Sequence, residues 1–211
     1  MKKTYLLILF MISIFACKRK TELSLPYFNT ADFTPVWLDK SSHEFSNLHT
    51  ISPFSFTDQQ GKTITEKTVA GKIYVVNFFF TRCENICPRI MDNLKKASDS
   101  FAGDTDFAII SHSVTPLYDN TEVLKKYALE KNINASNWHL VTGDRDAIYT
   151  LARKSYFADS ITNSAITTTF LHTENLILVD KHRHIRGVYN GTIAFEVDNL
   201  IRHIKLLKQE E

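Results

Sequence analysis

The sequence predicts an α/β domain: a central mixed sheet flanked by helices, with an N-terminal β-hairpin. Three observations point there. Residues Ile73 to Phe80 (IYVVNFFF) form a short, β-branched and aromatic run, as expected for a strand buried on both faces. Asp106 to Val114 (DFAIISHSV) and Trp138 to Val141 have the same character, and helical patterns lie between the three runs. Strands alternating with helices imply a parallel core sheet with helices on both faces.

The chain has 211 residues, enough for one ordinary domain and an N-terminal extension. Residues 1–17 read as a targeting segment. Lys2 and Lys3 precede an apolar stretch, Tyr5 to Ala16, that is too short to span a bilayer. It ends in Ile14-Phe15-Ala16-Cys17, followed by Lys18-Arg19-Lys20. A cysteine directly after such a segment resembles the bacterial lipoprotein signal, which implies that Cys17 is lipidated and becomes the new N-terminus. The plainer alternative is an ordinary cleaved signal with Cys17 an incidental thiol. Residues 18–48, interrupted by Pro26, Asn29 and Pro35, read as a tether whose aromatic residues dock on the domain. Residues 49–211 are the expected domain.

Within it, Phe54 and Phe56, the turn Asp58-Gln59-Gln60-Gly61 and Lys62 to Thr65 predict the hairpin. After the first core strand, Pro88 to Phe101 reads as a helix with Ile90, Met91, Leu94 and Ala97 on one side, closed by Gly103. Asp119-Asn120-Thr121 caps a helix running to Asn132. A third helix spans Arg145 to Tyr156. Glu174 to Asp180 and His184 to Tyr189 read as antiparallel strands joined by Lys181-His182-Arg183. Ala194 to Lys208 closes the chain as an amphipathic helix. This order is the thioredoxin-like arrangement. A net charge of +2 gives no argument for nucleic acid as a partner.

The chemistry is concentrated where the first core strand meets its helix. Phe78-Phe79-Phe80-Thr81-Arg82-Cys83-Glu84-Asn85-Ile86-Cys87-Pro88 carries two of the three cysteines. Cysteines at i and i+4 share a helix face, so both sulfurs can turn toward one point. The helix N-terminus, with its unpaired N–H groups, favours thiolate. Two such sulfurs are a redox couple or a pair of soft metal ligands; a structural disulfide is the bland alternative. Redox motifs of this fold are C-x-x-C, whereas three residues separate Cys83 from Cys87, leaving room for an ion. A soft trigonal site needs a third ligand, and imidazole suits copper. Of eight histidines, His172 is the best candidate, because it sits in the loop before the strand ENLILVD. His112, at the end of the second core strand, is a weaker one. His139 reads as core or rim, His182 and His184 as a solvated hairpin tip, His203 as a helix residue, and His43 and His49 as part of the tether or its edge.

FFFTRCENICPRIMDNL, SHSVTP before a capped helix, and TTFLHTENLILVD together resemble the Sco/SenC proteins over about residues 50–207, by order of elements. The resemblance implies a membrane-attached, thioredoxin-fold copper protein that assists assembly of the copper centre of cytochrome c oxidase. It implies that Cys83, Cys87 and His172 bind copper, as Cu(I), Cu(II) or both. The implied partners are the copper-accepting oxidase subunit, thiol reductants or copper donors, and a membrane on the extracytoplasmic, periplasmic side reached through the lipid on Cys17. Two positions depart from the family's usual pattern: Glu84 replaces a proline after the first cysteine, and Thr115 replaces an aspartate before Pro116. Glu84 is expected to raise the thiol pKa values slightly. A second class stays open, a thiol–disulfide reductase with Cys83 and Cys87 as its catalytic redox pair. A peroxidase is disfavoured, because the proline expected upstream of Thr81 in such a site is absent.

Overall fold

The computed structural model describes residues 24–133, 136–158, 171 and 173–210. Nine strands form a single sheet. They are β1 (Tyr27–Phe28), β2 (Pro35–Val36), β3 (Ser55–Asp58), β4 (Thr63–Thr65), β5 (Ile73–Phe79), β6 (Phe107–Ser113), β7 (Trp138–Thr142), β8 (Asn175–Val179) and β9 (Ile185–Asn190). The helices are α1 (Ile86–Ser100), α2 (Thr121–Glu130), α3 (Arg145–Lys154) and α4 (Ala194–Glu210). The spatial order is β2-β1-β9-β8-β5-β6-β7-β3-β4. Strands β5, β6 and β7 are parallel, and the others pair antiparallel.

Every residue of β5 and of β6 is buried. Their side chains alternate between two apolar layers, as a period of two demands. Ile73, Val75 and Phe79 pack with α1, α2 and α4, whereas Tyr74, Val76 and Phe78 pack with α3 and the β3–β4 hairpin. The polar interruptions on the first face satisfy one another. Ser111 donates to Asn77 Oδ1 (2.5 Å), and Trp138 Nε1 donates to Ser111 Oγ (2.9 Å), stitching the three parallel strands together.

Both expected hairpins form. At the β3–β4 turn Gly61 takes a positive φ of 77°, and the Asp58 carboxylate accepts from the N–H groups of Gln60 and Lys62. The hairpin joins the sheet beside β7, while β8 lies directly against β5. Helix ends shift from the sequence reading: α1 starts at Ile86 rather than Pro88, α2 ends at Glu130, and α3 ends at Lys154. Pro88 thus sits inside the first turn, where a missing N–H costs no intrahelical bond.

The segment before the hairpin contributes β1 to the sheet edge beside β9. It is held by Arg186, which is 2% exposed. Arg186 Nη2 donates to Leu25 O (2.7 Å) and Glu210 Oε2 (2.8 Å), and its Nε donates to Pro26 O (3.1 Å). Leu25 N–H donates to Glu210 Oε1 (2.7 Å). One buried guanidinium therefore ties the start of the described chain to the end of α4.

Candidate metal centre

β5 delivers the chain into a turn at Phe80, and Cys83 N–H closes it by donating to Phe80 O (3.2 Å). The Asn85 side chain at the head of α1 makes no cap hydrogen bond. The Cys83 sulfur takes that place, because Cys87 N–H points at Cys83 Sγ across 3.4 Å. The N-terminal N–H groups of a helix need such an acceptor.

The two thiols are free and unlike. Burial pushes the Cys83 pKa up, but hydrogen bonds from the Cys87 thiol and from the N–H groups of Cys87, Asn85 and Ile86 outweigh it, so the value falls below that of an ordinary thiol. Cys87 goes the other way. Burial, then its hydrogen bond to Cys83, push its pKa up to about 12, against a hydrogen bond with the Phe80 backbone. This corrects the expectation that the helix end favours both thiolates: only the outer sulfur is favoured. It also revises the role given to Glu84, which is exposed and absent from the causes of either shift.

Behind the turn lies a carboxylate that the sequence reading took as part of a helix cap. Asn120 is the cap of α2, accepting from Val123 N–H (3.0 Å). Asp119 faces inward and is fully buried. It accepts from Thr81 N–H (3.2 Å), Thr81 Oγ1 (2.5 Å), Ser113 Oγ (2.5 Å) and Thr115 Oγ1 (2.9 Å). Thr115, noted as a departure where an aspartate is usual, is thus a donor to Asp119. The sequence signal was the hydroxyl-bearing Ser113 and Thr115 placed six and four residues before the acid.

Seven of the eight histidines are described, and none of them joins the cysteines in a possible metal site. His112 is fully buried on the α3 face of the sheet, opposite the face that packs α1. Phe54, Phe56, Phe78 and Tyr156 surround its ring, and neither ring nitrogen has a hydrogen-bond partner. Burial lowers its pKa to about 3, so it is neutral. His139 Nδ1 meets Asp58 Oδ2 (3.0 Å), His49 Nε2 meets Ser155 O (2.8 Å), and His203 Nδ1 meets the Tyr189 hydroxyl (2.7 Å). His43 lies beside Asn47. His182 is exposed, as expected of a hairpin tip. His184 is not: it is buried against Tyr27 and Phe45, with Nδ1 3.3 Å from Asp180 Oδ2. Among the described residues no group of three or more His, Cys, Asp or Glu side chains is placed to hold a metal ion. His172 and Cys17 lie outside the described residues.

The start of β8 nevertheless faces the cysteine turn. β8 runs antiparallel to β5 with Ile177 opposite Val76, so its first residues lie at the carboxyl end of β5. Leu171 is buried, and the Thr173 hydroxyl accepts from Asn175 N–H (3.2 Å). No helix among the described residues is long and apolar enough to cross a membrane.

Known proteins share both this architecture and this sequence pattern. A SCO1 protein homologue of Bacillus subtilis is 31% identical over 159 residues, covering 74% of this chain and 81% of its own. The solved structure of BsSco, described as having a disulfide switch and as belonging to the Sco family of cytochrome c oxidase assembly proteins, superposes with a TM-score of 0.66. It is 27% identical and covers 77% of this chain and 95% of its own. Copper-bound ScoI of Bradyrhizobium japonicum, 24% identical, shares the fold with a TM-score of 0.57 over 73% of this chain and 99% of its own. The SCO1/SenC family model matches residues 43–208, and with these relatives it establishes that the chain belongs to the SCO1/SenC family.

Proposed function

We propose that this chain is an extracytoplasmic copper carrier that binds one copper ion through Cys83, Cys87 and His172 and assists assembly of the copper centre of cytochrome c oxidase. The observation that carries the reading is the unlike thiol pair at the head of α1: an outer sulfur inclined to thiolate, 3.4 Å from the N–H of an inner, buried cysteine. Two sulfurs in one place form a soft donor set, and soft donors select copper, above all Cu(I). Binding to Cys87 has to displace a proton from a reluctant thiol, so loading is coupled to proton release. The outer sulfur is the natural first contact for incoming metal, and the inner one completes the grip.

His172 is proposed as the third ligand for two reasons. None of the seven described histidines joins the two cysteines in a possible metal site, and in the sequence His172 comes three residues before β8, whose first residues lie beside the carboxyl end of β5. Imidazole adds a donor that also tolerates Cu(II). The copper-accepting subunit of the oxidase is the proposed client, with thiol reductants or copper donors upstream. Cys17, followed by Lys18-Arg19-Lys20, is proposed as the lipid attachment on the periplasmic side of a membrane.

Copper binding by residues 18–211 with reduced thiols tests this, run beside His172→Ala. The metal is counted per chain and the thiolate-to-Cu(II) charge-transfer band followed. One copper per chain, weakened sharply without His172, is expected. A second reading, thiol–disulfide reductase, is favoured by the same asymmetry, which suits an attacking outer thiolate and a resolving inner thiol. No copper in the parent, with equal reductase turnover in His172→Ala, would replace the first reading with this one.

A further inference from the structure

The reactivity of Cys83 depends on where its turn is held. Within the turn, Cys83 N–H donates to Phe80 O. What grips it from outside is Asp119. A carboxylate offers about four acceptor sites. Those of Asp119 receive four donors: the Thr81 N–H and hydroxyl from the cysteine turn, Ser113 from the end of β6, and Thr115 from the connection to α2. Thr81 is bound through both backbone and side chain, which fixes its position and its orientation together. Next to it the Arg82 guanidinium lies over the Tyr118 ring, 3.9 Å from the centroid, so residues 81–82 are tied to residues 118–119 twice. Such double attachment two residues before a reactive sulfur is more than a loop needs for closure.

We propose that Asp119 is a positioning residue for the cysteine pair, acting through Thr81 to hold Cys83 at the head of α1. It touches neither sulfur. It keeps the turn where the Cys87 N–H can reach Cys83 Sγ. The idea deepens the copper-carrier reading and rests on it for the metal measurement alone; the thiol measurement stands without it.

Thr81→Val is the decisive variant, since it removes one donor to Asp119 while keeping shape and charge. Thr81→Ser restores the hydroxyl. Thr68→Val removes the side-chain acceptor of the Thr65 N–H beside β4, away from the cysteines and from Asp119. Two quantities are read on the full chain: copper affinity with its charge-transfer band, and, in the reduced metal-free protein, the ratio of Cys83 to Cys87 alkylation. Thr81→Val is expected to weaken copper binding about tenfold, as loss of an outer hydrogen bond does at metal sites. It should also lower the alkylation ratio about threefold or more. Thr81→Ser should return both, and Thr68→Val should lower Tm and move neither. The proposal is overturned if Thr81→Val matches the parent in both readouts, or if Thr68→Val does the same damage. A parent that binds no copper sinks the carrier reading, and the alkylation ratio then decides the positioning role by itself.

Discussion

Cys83 and His112 lie at the carboxyl ends of neighbouring parallel strands, β5 and β6, and meet opposite surroundings. Cys83 emerges beyond the strand on the α1 face, where the Cys87 N–H points at its sulfur. His112 stays within its strand on the α3 face, among four aromatic rings, with no donor or acceptor in reach. One is a metal-binding type of side chain made available; the other is the same type made inert. Residue chemistry alone does not separate them. Strand parity does, since one step along β6 exchanges the face that carries α1 for the face that carries α3.

The sharpest way to break that contrast is to open the aromatic enclosure. Phe78 stacks on His112 at 5.3 Å between centroids. Phe78→Ala should destabilise the fold by about 3–5 kcal/mol in denaturant titration, while copper stoichiometry stays at the parental value wherever the protein is folded. The converse substitution, Cys87→Ser, should weaken copper binding about a hundredfold or more, since removing a ligand costs at least what removing an outer partner does. It should also lower Tm, because a hydroxyl replaces a thiol among buried apolar groups.

His112 also predicts an acid response of known sign. Its native pKa is lowered to about 3 from the ordinary 6.5. Between those values the unfolded chain holds a proton that the native chain excludes, so stability present above pH 6.5 drains away as the pH falls toward 3. The slope is about 1.4 kcal/mol per pH unit at most. His112→Phe should flatten that part of the profile and raise stability at pH 7 by about 1–3 kcal/mol, by removing an unpartnered buried group. An unchanged acid profile in this variant would contradict the enclosed, neutral ring. The smallest effect is kinetic: at neutral pH, iodoacetamide should modify Cys83 ahead of Cys87 by about tenfold or more, read by mass spectrometry.

The core was legible because its signals are local. IYVVNFFF and DFAIISHSV announce buried strands by composition, and Gly61 and the Asp58 side chain announce the hairpin turn by chemistry. The cysteine pair was legible by spacing. What escaped were long-range facts. The thiols looked equivalent in sequence, and only burial of Cys87 together with the convergence of N–H groups on Cys83 makes them differ. His184 looked solvated because the residues that bury it, Tyr27 and Phe45, come from the far end of the chain. Asp119 read as a cap because Asp-Asn-Thr precedes a helix, while its true partner, Thr81, is 38 residues away.

The Arg186 clasp has a consequence for how far the domain can travel. With Cys17 as the proposed point of attachment, a free stretch running to residue 48 would let the domain roam about 110 Å from a membrane. Because Leu25 is already bound to Arg186 and Glu210, the leash ends eight residues after Cys17. Fully extended, that is about 28 Å. On that proposal the domain would stay within a short reach of the lipid surface, and severing the clasp would lengthen the leash without touching the cysteines.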